Sequence, residues 1–308
     1  MISKFNLLIA ILFFTINLLA NSTDSEKRVN DAWKSWEEND QQTVEAHFKA
    51  ALEADSTNTR AYLGLMFLYS TQYNDEAAWN AFQKLIKTAE NPYPYIFAGW
   101  SLIRWTNDHD TRRQAVVDFW KSLTEKSDDG GLLKAMAHQF LGMYYERRND
   151  LETSRRHFAS VNALVDWTVI GPFDNVSASG FDKQFPPETE YKPKKNYEGQ
   201  NGIPAKWFAI SEVRPDRWID FMRYFAHSQA VFYGNNFVYS PKKQTVQIRV
   251  GTSGSLKAFL NDELILEHFD ENNNDLDTYI AETTLQKGWN RVLVKVGYSE
   301  ITRCNFMV

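Results

Sequence analysis

Oxygen-bearing side chains are densest at residues 270–279, DENNNDLDTY. Carboxylate and amide oxygens are the ligands that Ca²⁺ prefers in proteins. The spacing differs from an EF-hand loop, because Asp275 stands at the sixth place instead of glycine and Ala281 at the twelfth instead of glutamate. We therefore predict a looser calcium site, with a solvated loop as the alternative; its ligands would be Asp270, Asn272, Asn274 and Asp277.

Aromatic side chains and amides form a second candidate site in the stretches 218–225, WIDFMRYF, and 230–240, AVFYGNNFVYS. Successive residues of a strand point to opposite faces, so one face can fill the core while the other stacks against a sugar. The alternative is that both faces are covered, one by the opposite sheet and the other by the helical domain. The predicted ligand-binding residues are Trp207, Tyr233, Asn235 and Asn236.

No motif for catalysis accompanies these clusters. The six histidines include no H-E-x-x-H pair, and the sequence contains no G-x-S-x-G, Walker or dinucleotide-binding pattern. Cys304 is the only cysteine, which excludes an internal disulfide and a multi-thiolate zinc site. We predict a chain that is not an enzyme, with no catalytic residue and no cofactor other than calcium.

Apolar residues recur at helical spacing from residue 24 to residue 165. Polar breaks interrupt this pattern at 55–58, 72–75, 90–94, 106–111, 126–131 and 147–150. Phe48 and Phe82 lie 34 positions apart, which indicates a repeat of helical hairpins. This region resembles tetratricopeptide repeats. Two copies carry the resemblance: Tyr62, Leu65, Tyr69, Ala78, Phe82 and Leu85 in one, and His138, Leu141, Gly142, Tyr145, Ser154, Phe158 and Val161 in the other.

From residue 166 to 308 the pattern changes to short strands. TVQIRVG (245–251) and RVLVKVG (291–297) alternate, and Asn261-Asp262 between two apolar runs indicates a tight hairpin. Gly171-Pro172 is expected to end the pairing of the first strand, and LQKGWN (285–290) to form a turn. The fold class predicted for the whole chain is α+β multidomain, with a tetratricopeptide-like array followed by an antiparallel β-sandwich of jelly-roll type.

The ordered stretches WTVIGPFDN (167–175), GFDKQFPPE (180–188), VFYGNNFVYSP (231–241) and LQKGWNRVLVKV (285–296) are similar to a β-sandwich module of secreted bacterial proteins. That module belongs with PA14-type and galactose-binding-like sandwiches. The resemblance implies sugar binding through aromatic side chains with nearby Asn and Asp.

Residues 1–20 have the form of a secretion signal, with Lys4 before an apolar run and a small-residue cleavage site at Ala20. An uncleaved membrane anchor is the alternative. We predict export to the periplasm or the extracellular space. The net charge of −5 comes from 34 basic and 39 acidic residues without a basic run, which argues against a nucleic-acid partner.

We predict a noncatalytic binding protein, in which the helical repeats engage a protein or peptide and the sandwich engages a glycan or a second protein. Two alternatives remain open. The chain is the recognition part of a larger secreted protease, transglutaminase-like or glycan-degrading enzyme, or it is a structural spacer.

Overall fold

The structure, a computed structural model, describes residues 24–99, 102, 113–125, 131–210, 214–226, 228–272, 276–301 and 303–308. The predicted leader lies outside these residues. Helices come first and antiparallel strands follow, so the predicted α+β class is confirmed. The chain divides into two compact units between Phe119 and Trp120. The change from helix to strand comes later, between Ser160 and Thr168.

Eight helices lie in the described part of the chain: α1 (Asp24–Glu37), α2 (Gln41–Ala54), α3 (Thr59–Thr71), α4 (Asp75–Thr88), α5 (Tyr93–Ala98), α6 (Arg113–Thr124), α7 (Gly131–Glu146) and α8 (Leu151–Ser160). Four of them begin after an Asp or Asn whose side chain accepts a hydrogen bond from a backbone N–H of the first turn. These capping residues are Asp40, Asn58, Asn74 and Asp150. The predicted breaks at 55–58, 72–75 and 147–150 are thereby confirmed, whereas the break at 106–111 lies outside the described residues.

Close approach of a glycine to a phenylalanine ring holds neighbouring helices together. At each of three glycines an added methyl group would overlap the ring of the facing phenylalanine. Only a residue without a side chain leaves room for the ring, so the helices pack at short distance and the ring is buried. In the pairs Phe48–Gly64 and Phe82–Gly99 the phenylalanines follow the 34-residue spacing, and in a third pair, Phe158–Gly142, the glycine comes before the phenylalanine in the chain.

Twelve strands follow in the described residues: β1 (Thr168–Asp174), β2 (Asn196–Glu198), β3 (Pro204–Lys206), β4 (Phe208–Ala209), β5 (Ile219–Asp220), β6 (Ala230–Ser240), β7 (Gln244–Thr252), β8 (Ser255–Leu260), β9 (Glu263–His268), β10 (Tyr279–Leu285), β11 (Gly288–Tyr298) and β12 (Asn305–Met307). The hairpin prediction is confirmed, because Leu260 pairs with Glu263 across Asn261 and Asp262, which both have positive φ.

Ten of these strands form a six-stranded sheet of order β4-β1-β6-β11-β8-β9 and a four-stranded sheet of order β10-β7-β12-β5, and β2 pairs with β3 in a separate two-stranded sheet. The six-stranded and four-stranded sheets both contribute to one apolar core, in which Phe232 and Val294 from the larger sheet lie with Val250 and Phe306 from the smaller one. Two antiparallel sheets that share a core form a sandwich. The strands β6 and β11, which pair over their full lengths, lie at the centre of the larger sheet.

The outer face of the larger sheet is covered in part by the chain between β1 and β4, residues 175–207, which we call the covering segment. Phe185, Tyr197 and Trp207 of this segment pack on Tyr233 and Leu293 of the sheet in a second apolar cluster. The prediction that Gly171-Pro172 ends pairing is wrong. The strand β1 continues to Asp174 after a shift of register between Ile170 and Phe173, because a bulge accommodates the proline.

Candidate functional site

The four residues predicted to bind a ligand are buried in the sandwich. Tyr233 is 0% exposed, Asn235 1%, Asn236 5% and Trp207 6%. Tyr233 and Asn235 point to the outer face, over which the covering segment lies, whereas Asn236, the next residue of β6, points to the opposite face. The prediction of an exposed sugar-stacking surface at these residues is therefore wrong. The alternative named the helical domain as the cover of one face, whereas the cover observed on the outer face is the covering segment, which belongs to the sandwich itself.

A buried charged network fixes the covering segment to the sheet. The Nζ of Lys295, 2% exposed, donates to the carbonyl oxygens of Phe181 at 2.9 Å and Lys183 at 2.7 Å, and to Glu188 Oε1 at 2.9 Å. The hydroxyl of Tyr233 donates to the same carboxylate oxygen. Burial lowers the pKa of Lys295, and the facing charge of Glu188 raises it. Burial, followed by Glu188, raises the pKa of Tyr233 well above its usual value.

Arg291 forms the second half of this network. Its guanidinium donates to Asn235 Oδ1 at 2.7 Å, to the carbonyl oxygen of Pro187 at 2.7 Å and to Asp262 Oδ1 at 2.6 Å. Three charge-assisted bonds hold this cation in place, so it is a structural clamp. Asn235, predicted as a ligand-binding residue, serves as one of its acceptors.

Beyond the covering segment the outer face of the sheet is open, and a row of aromatic side chains lies on it. We call Phe237, Tyr239 and Trp289 of the sheet, together with Tyr191 of the covering segment, the aromatic strip. Phe237 is 42% exposed, Tyr239 57% and Trp289 70%. The rings of Tyr239 and Trp289, which are register partners on β6 and β11, have centroids 5.4 Å apart. The ring centroids of Tyr191 and Phe237 are 5.4 Å apart, so Tyr191 extends the row to the edge of the covering segment.

The strip follows from strand alternation. Tyr233, Asn235, Phe237 and Tyr239 occupy every second position of β6 and point to the same face. The first two are covered and the last two are exposed, because the covering segment does not reach the end of the strand. Sequence reasoning missed Trp289, since LQKGWN reads as a turn, whereas β11 already begins at Gly288. The exact pairing of Trp289 with Tyr239 gave no sequence signal.

Three of the four predicted calcium ligands lie in the described residues, and one of these is buried while two are exposed. Asp277 is buried and pairs with Arg249 at 3.0 Å. Burial raises the pKa of Asp277, and Arg249 lowers it. Asp270 and Asn272 are exposed, and Asn274 lies outside the described residues. No group of three or more His, Cys, Asp or Glu side chains is placed to hold a metal ion within the described part of the chain. Calcium binding stays a prediction.

A pair of histidines joins α7 and α8. The Nδ1 atoms of His138 and His157 lie 3.0 Å apart, and the ring of Tyr145 stacks on His157. Burial, and after it the charges of His157 and Lys134, lower the pKa of His138 to about 4. Burial also lowers the pKa of His157. Two neutral rings satisfy this geometry when the Nδ1–H of one histidine donates to the unprotonated Nδ1 of the other.

A second surface lies on the first helices of the array. Glu26, Asn30 and Trp33 follow one face of α1, at spacings of four and three residues, and Arg60 of α3 donates to Glu26 and to Asn30. Phe67 lies seven residues after Arg60 on the corresponding face of α3. Trp33 and Phe67, both half-buried, are 34 positions apart and so occupy equivalent places in the repeat. We call these residues the array face.

Comparison with known proteins gives weak structural similarities. No protein-family model matches the chain, and no curated protein matches it in sequence. A solved structure of MamA is 18% identical with a TM-score of 0.32, over 50% of this chain and 82% of that one. YrrB, a TPR protein described as having an unusual peptide-binding site, is 17% identical with a TM-score of 0.31, over 52% and 74%. A β-glucosidase from Kluyveromyces marxianus in complex with glucose is 15% identical with a TM-score of 0.29, over 46% and 16%.

In the described part of the chain, no helix has both the length and the apolar character needed to cross a membrane.

Proposed function

We propose that the chain is an exported, noncatalytic binding protein whose sandwich holds a glycan on the aromatic strip and whose helical array holds a protein or peptide. The observation that carries the proposal is the exposed pair Tyr239 and Trp289. These rings lie in contact on the two central strands of a sheet whose outer face is otherwise partly covered. Large rings left open to water in this way mark a binding surface.

The geometry of the strip suits a sugar chain. Aromatic faces stack on the apolar faces of sugar rings, and a Tyr or Trp presents that area with little conformational freedom to lose. Phe237 and Tyr239 are alternate residues of one strand, so their side chains are about 7 Å apart. Tyr191 contacts Phe237 at one end of the row, and Trp289 contacts Tyr239 at the other. The row therefore has room for more than one sugar ring.

Affinity electrophoresis and calorimetry of the full chain against a panel of neutral polysaccharides test the glycan site. Trp289→Ala and Tyr239→Ala are each expected to weaken binding about tenfold, the loss typical of one stacked ring. Both side chains are exposed, so the far-UV spectrum and the melting temperature should remain those of the wild type.

The matched control is Tyr73→Ala, which removes a ring that is 90% exposed in the helical unit. This variant should bind the polysaccharide as the wild type does. Equal binding by all three variants, or no binding of any glycan by the wild type, would remove the sugar site from the proposal.

The array face supports the protein-binding half of the proposal. Equivalent half-buried aromatic residues beside an Arg–Glu pair offer a peptide both apolar contacts and charge. Peptides selected by display on the immobilised full chain should lose binding to Phe67→Ser and retain it with Trp289→Ala. Selection that yields no peptide sensitive to Phe67→Ser would count against this surface.

The leader at residues 1–20 supports export, and N-terminal sequencing of the exported protein should begin near Asn21. The recognition part of a larger enzyme would use the same strip. A spacer would bind neither glycan nor peptide, so the two binding assays distinguish it from the other functions.

A further inference from the structure

Three lysines lie on adjacent turns next to the aromatic strip. The turn from β6 to β7 contains Lys242 and Lys243, and the turn from β10 to β11 contains Lys287. Both turns connect the six-stranded sheet with the four-stranded sheet. The register places them side by side, because Ser240 pairs with Gly288 on one sheet and Gln244 pairs with Leu285 on the other.

The lysines are close to the rings along the chain. Lys287 is two residues from Trp289 and Lys242 three residues from Tyr239, so the separation of their Cα atoms is at most about 11 Å. All three lysines are exposed. Within the described part of the chain none of the three forms an ion pair.

The charge at this end of the sheet is positive, in contrast to the net charge of −5 of the whole chain. The neighbouring hairpin turn adds the negative charge of Asp262, but this carboxylate is paired with the guanidinium of Arg291, with a distance of 2.6 Å from Oδ1 to Nη1. Glu263 follows that turn at the start of β9. The turns therefore offer three ammonium groups without bound counter-charges beside an open stacking surface.

We propose that the aromatic strip and Lys242, Lys243 and Lys287 together bind an acidic polysaccharide, one whose sugars carry carboxylate or sulfate groups. This inference rests on the proposed glycan function and names its substrate class. The rings stack on the sugars, and the ammonium groups on the turns face the acidic substituents. Exposed lysines attract such a polymer from solution, and salt screens that attraction.

A polysaccharide fits the arrangement better than a membrane surface does. Tyr239 and Trp289 lie on the central strands of a sheet face, not on a projecting turn, so their rings line a surface along which an extended chain can run. A bilayer would reach the tips of the turns before it reached the rings. Vesicle binding is accordingly an outcome of the test that contradicts the proposal.

Dextran and dextran sulfate share one backbone and serve as the probes, with polygalacturonate as a carboxylate polymer. The full chain is titrated with each by calorimetry at two salt concentrations. The triple variant Lys242→Gln, Lys243→Gln, Lys287→Gln is expected to bind the two acidic polymers at least tenfold more weakly. The matched control is Lys27→Gln, Lys34→Gln, Lys87→Gln, which changes the net charge equally on exposed residues of the helical unit and should bind as the wild type does.

The outcomes separate the two proposals. If Trp289→Ala weakens binding of every polymer while the Lys242 triple variant changes nothing, the glycan site stands and the acidic preference is overturned. If the Lys242 triple variant weakens acidic binding while Trp289→Ala and Tyr239→Ala do not, the lysines act as an ion exchanger and the stacking site fails. Equal losses in the two triple variants, or tighter binding to phosphatidylglycerol vesicles than to either acidic polymer, overturn the inference.

Discussion

Individual buried charges decide how the outer face of the sandwich is divided. Lys295 and Arg291 project from β11 onto this face, and their partners come from residues 181–188, from the adjacent hairpin turn and from Asn235 of β6. Where these cations lie, the covering segment is fastened. Beyond them, at Tyr239 and Trp289, the face is open. The aromatic strip thus owes its position to polar residues that are not part of it.

Replacement of Lys295 by methionine should cost about 3 kcal/mol of unfolding free energy, because it leaves the carboxylate of Glu188 buried without its cation. Urea denaturation followed by near-UV circular dichroism measures the loss. Adding Glu188→Gln to this variant should recover part of it, since the stranded charge is then removed. The control Lys206→Ala, at an exposed position of β3, should change stability by less than about 0.5 kcal/mol. A loss no greater than that of the control would contradict the stabilising role of the Lys295–Glu188 ion pair.

The His138–His157 pair predicts a dependence of stability on pH. Both folded-state pKa values lie below the unfolded value, so between pH 6.5 and pH 4 the unfolded chain binds more protons than the native one. The free energy of unfolding should therefore fall on acidification from pH 7 to pH 5, by about 1 kcal/mol after allowance for partial exposure. The double variant His138→Gln, His157→Gln should lose most of this dependence, and urea midpoints at the two pH values give the comparison. A slope unchanged in that variant would assign the pH effect to other groups.

At the scale of elements, the contact between Phe48 and Gly64 sets the spacing of α2 and α3. Gly64→Ala would raise intrinsic helix propensity, which alone stabilises by up to about 1 kcal/mol. The new methyl group overlaps the Phe48 ring, however, and overpacking of a filled core costs about 1–3 kcal/mol. We expect a net loss of thermal stability, measured by the melting temperature of the helical signal.

Two further variants make this prediction sharp. Gly131→Ala, at the start of α7, places a methyl group where no described atom lies within 4 Å, so it should be neutral or stabilising. The double variant Phe48→Leu, Gly64→Ala should lose less stability than the sum of the losses in the two single variants, because the smaller side chain relieves the overlap. Additive losses would show that the ring and the glycine do not compete for space.

The periodic elements could be predicted from sequence, and their long-range pairing could not. Helices begin after Asn58 and Asn74 because capping chemistry is local, and Asn261-Asp262 forms the hairpin turn because both residues adopt positive φ. Alternation predicted that about half of the aromatic residues of β6 lie on each face, but the predicted site combined Asn235 and Asn236, which lie on opposite faces. The position of the covering segment depends on ion pairs between residues about a hundred positions apart, such as Lys295 and Glu188. No local pattern encodes that contact, so Tyr233 was predicted to be open. Trp289 was missed for a different reason, because the sequence before it reads as a turn although β11 already begins at Gly288.

At the scale of the whole molecule, the two compact units predict unfolding in two steps. One unit ends at Phe119 and the other begins at Trp120, within α6, and each has its own apolar residues, such as Phe82 in the first and Phe232 in the second. Separate cores lose their structure separately when each is destabilised by its own mutation. Gly64→Ala should lower the temperature of only the calorimetric transition of the first unit, which ends at Phe119. Lys295→Met should lower only that of the second unit, which contains the sandwich. Saturating dextran sulfate should raise the sandwich transition alone, because a ligand stabilises the unit whose native state binds it. A single transition that all three perturbations move together would mean that α6 couples the units into one cooperative structure.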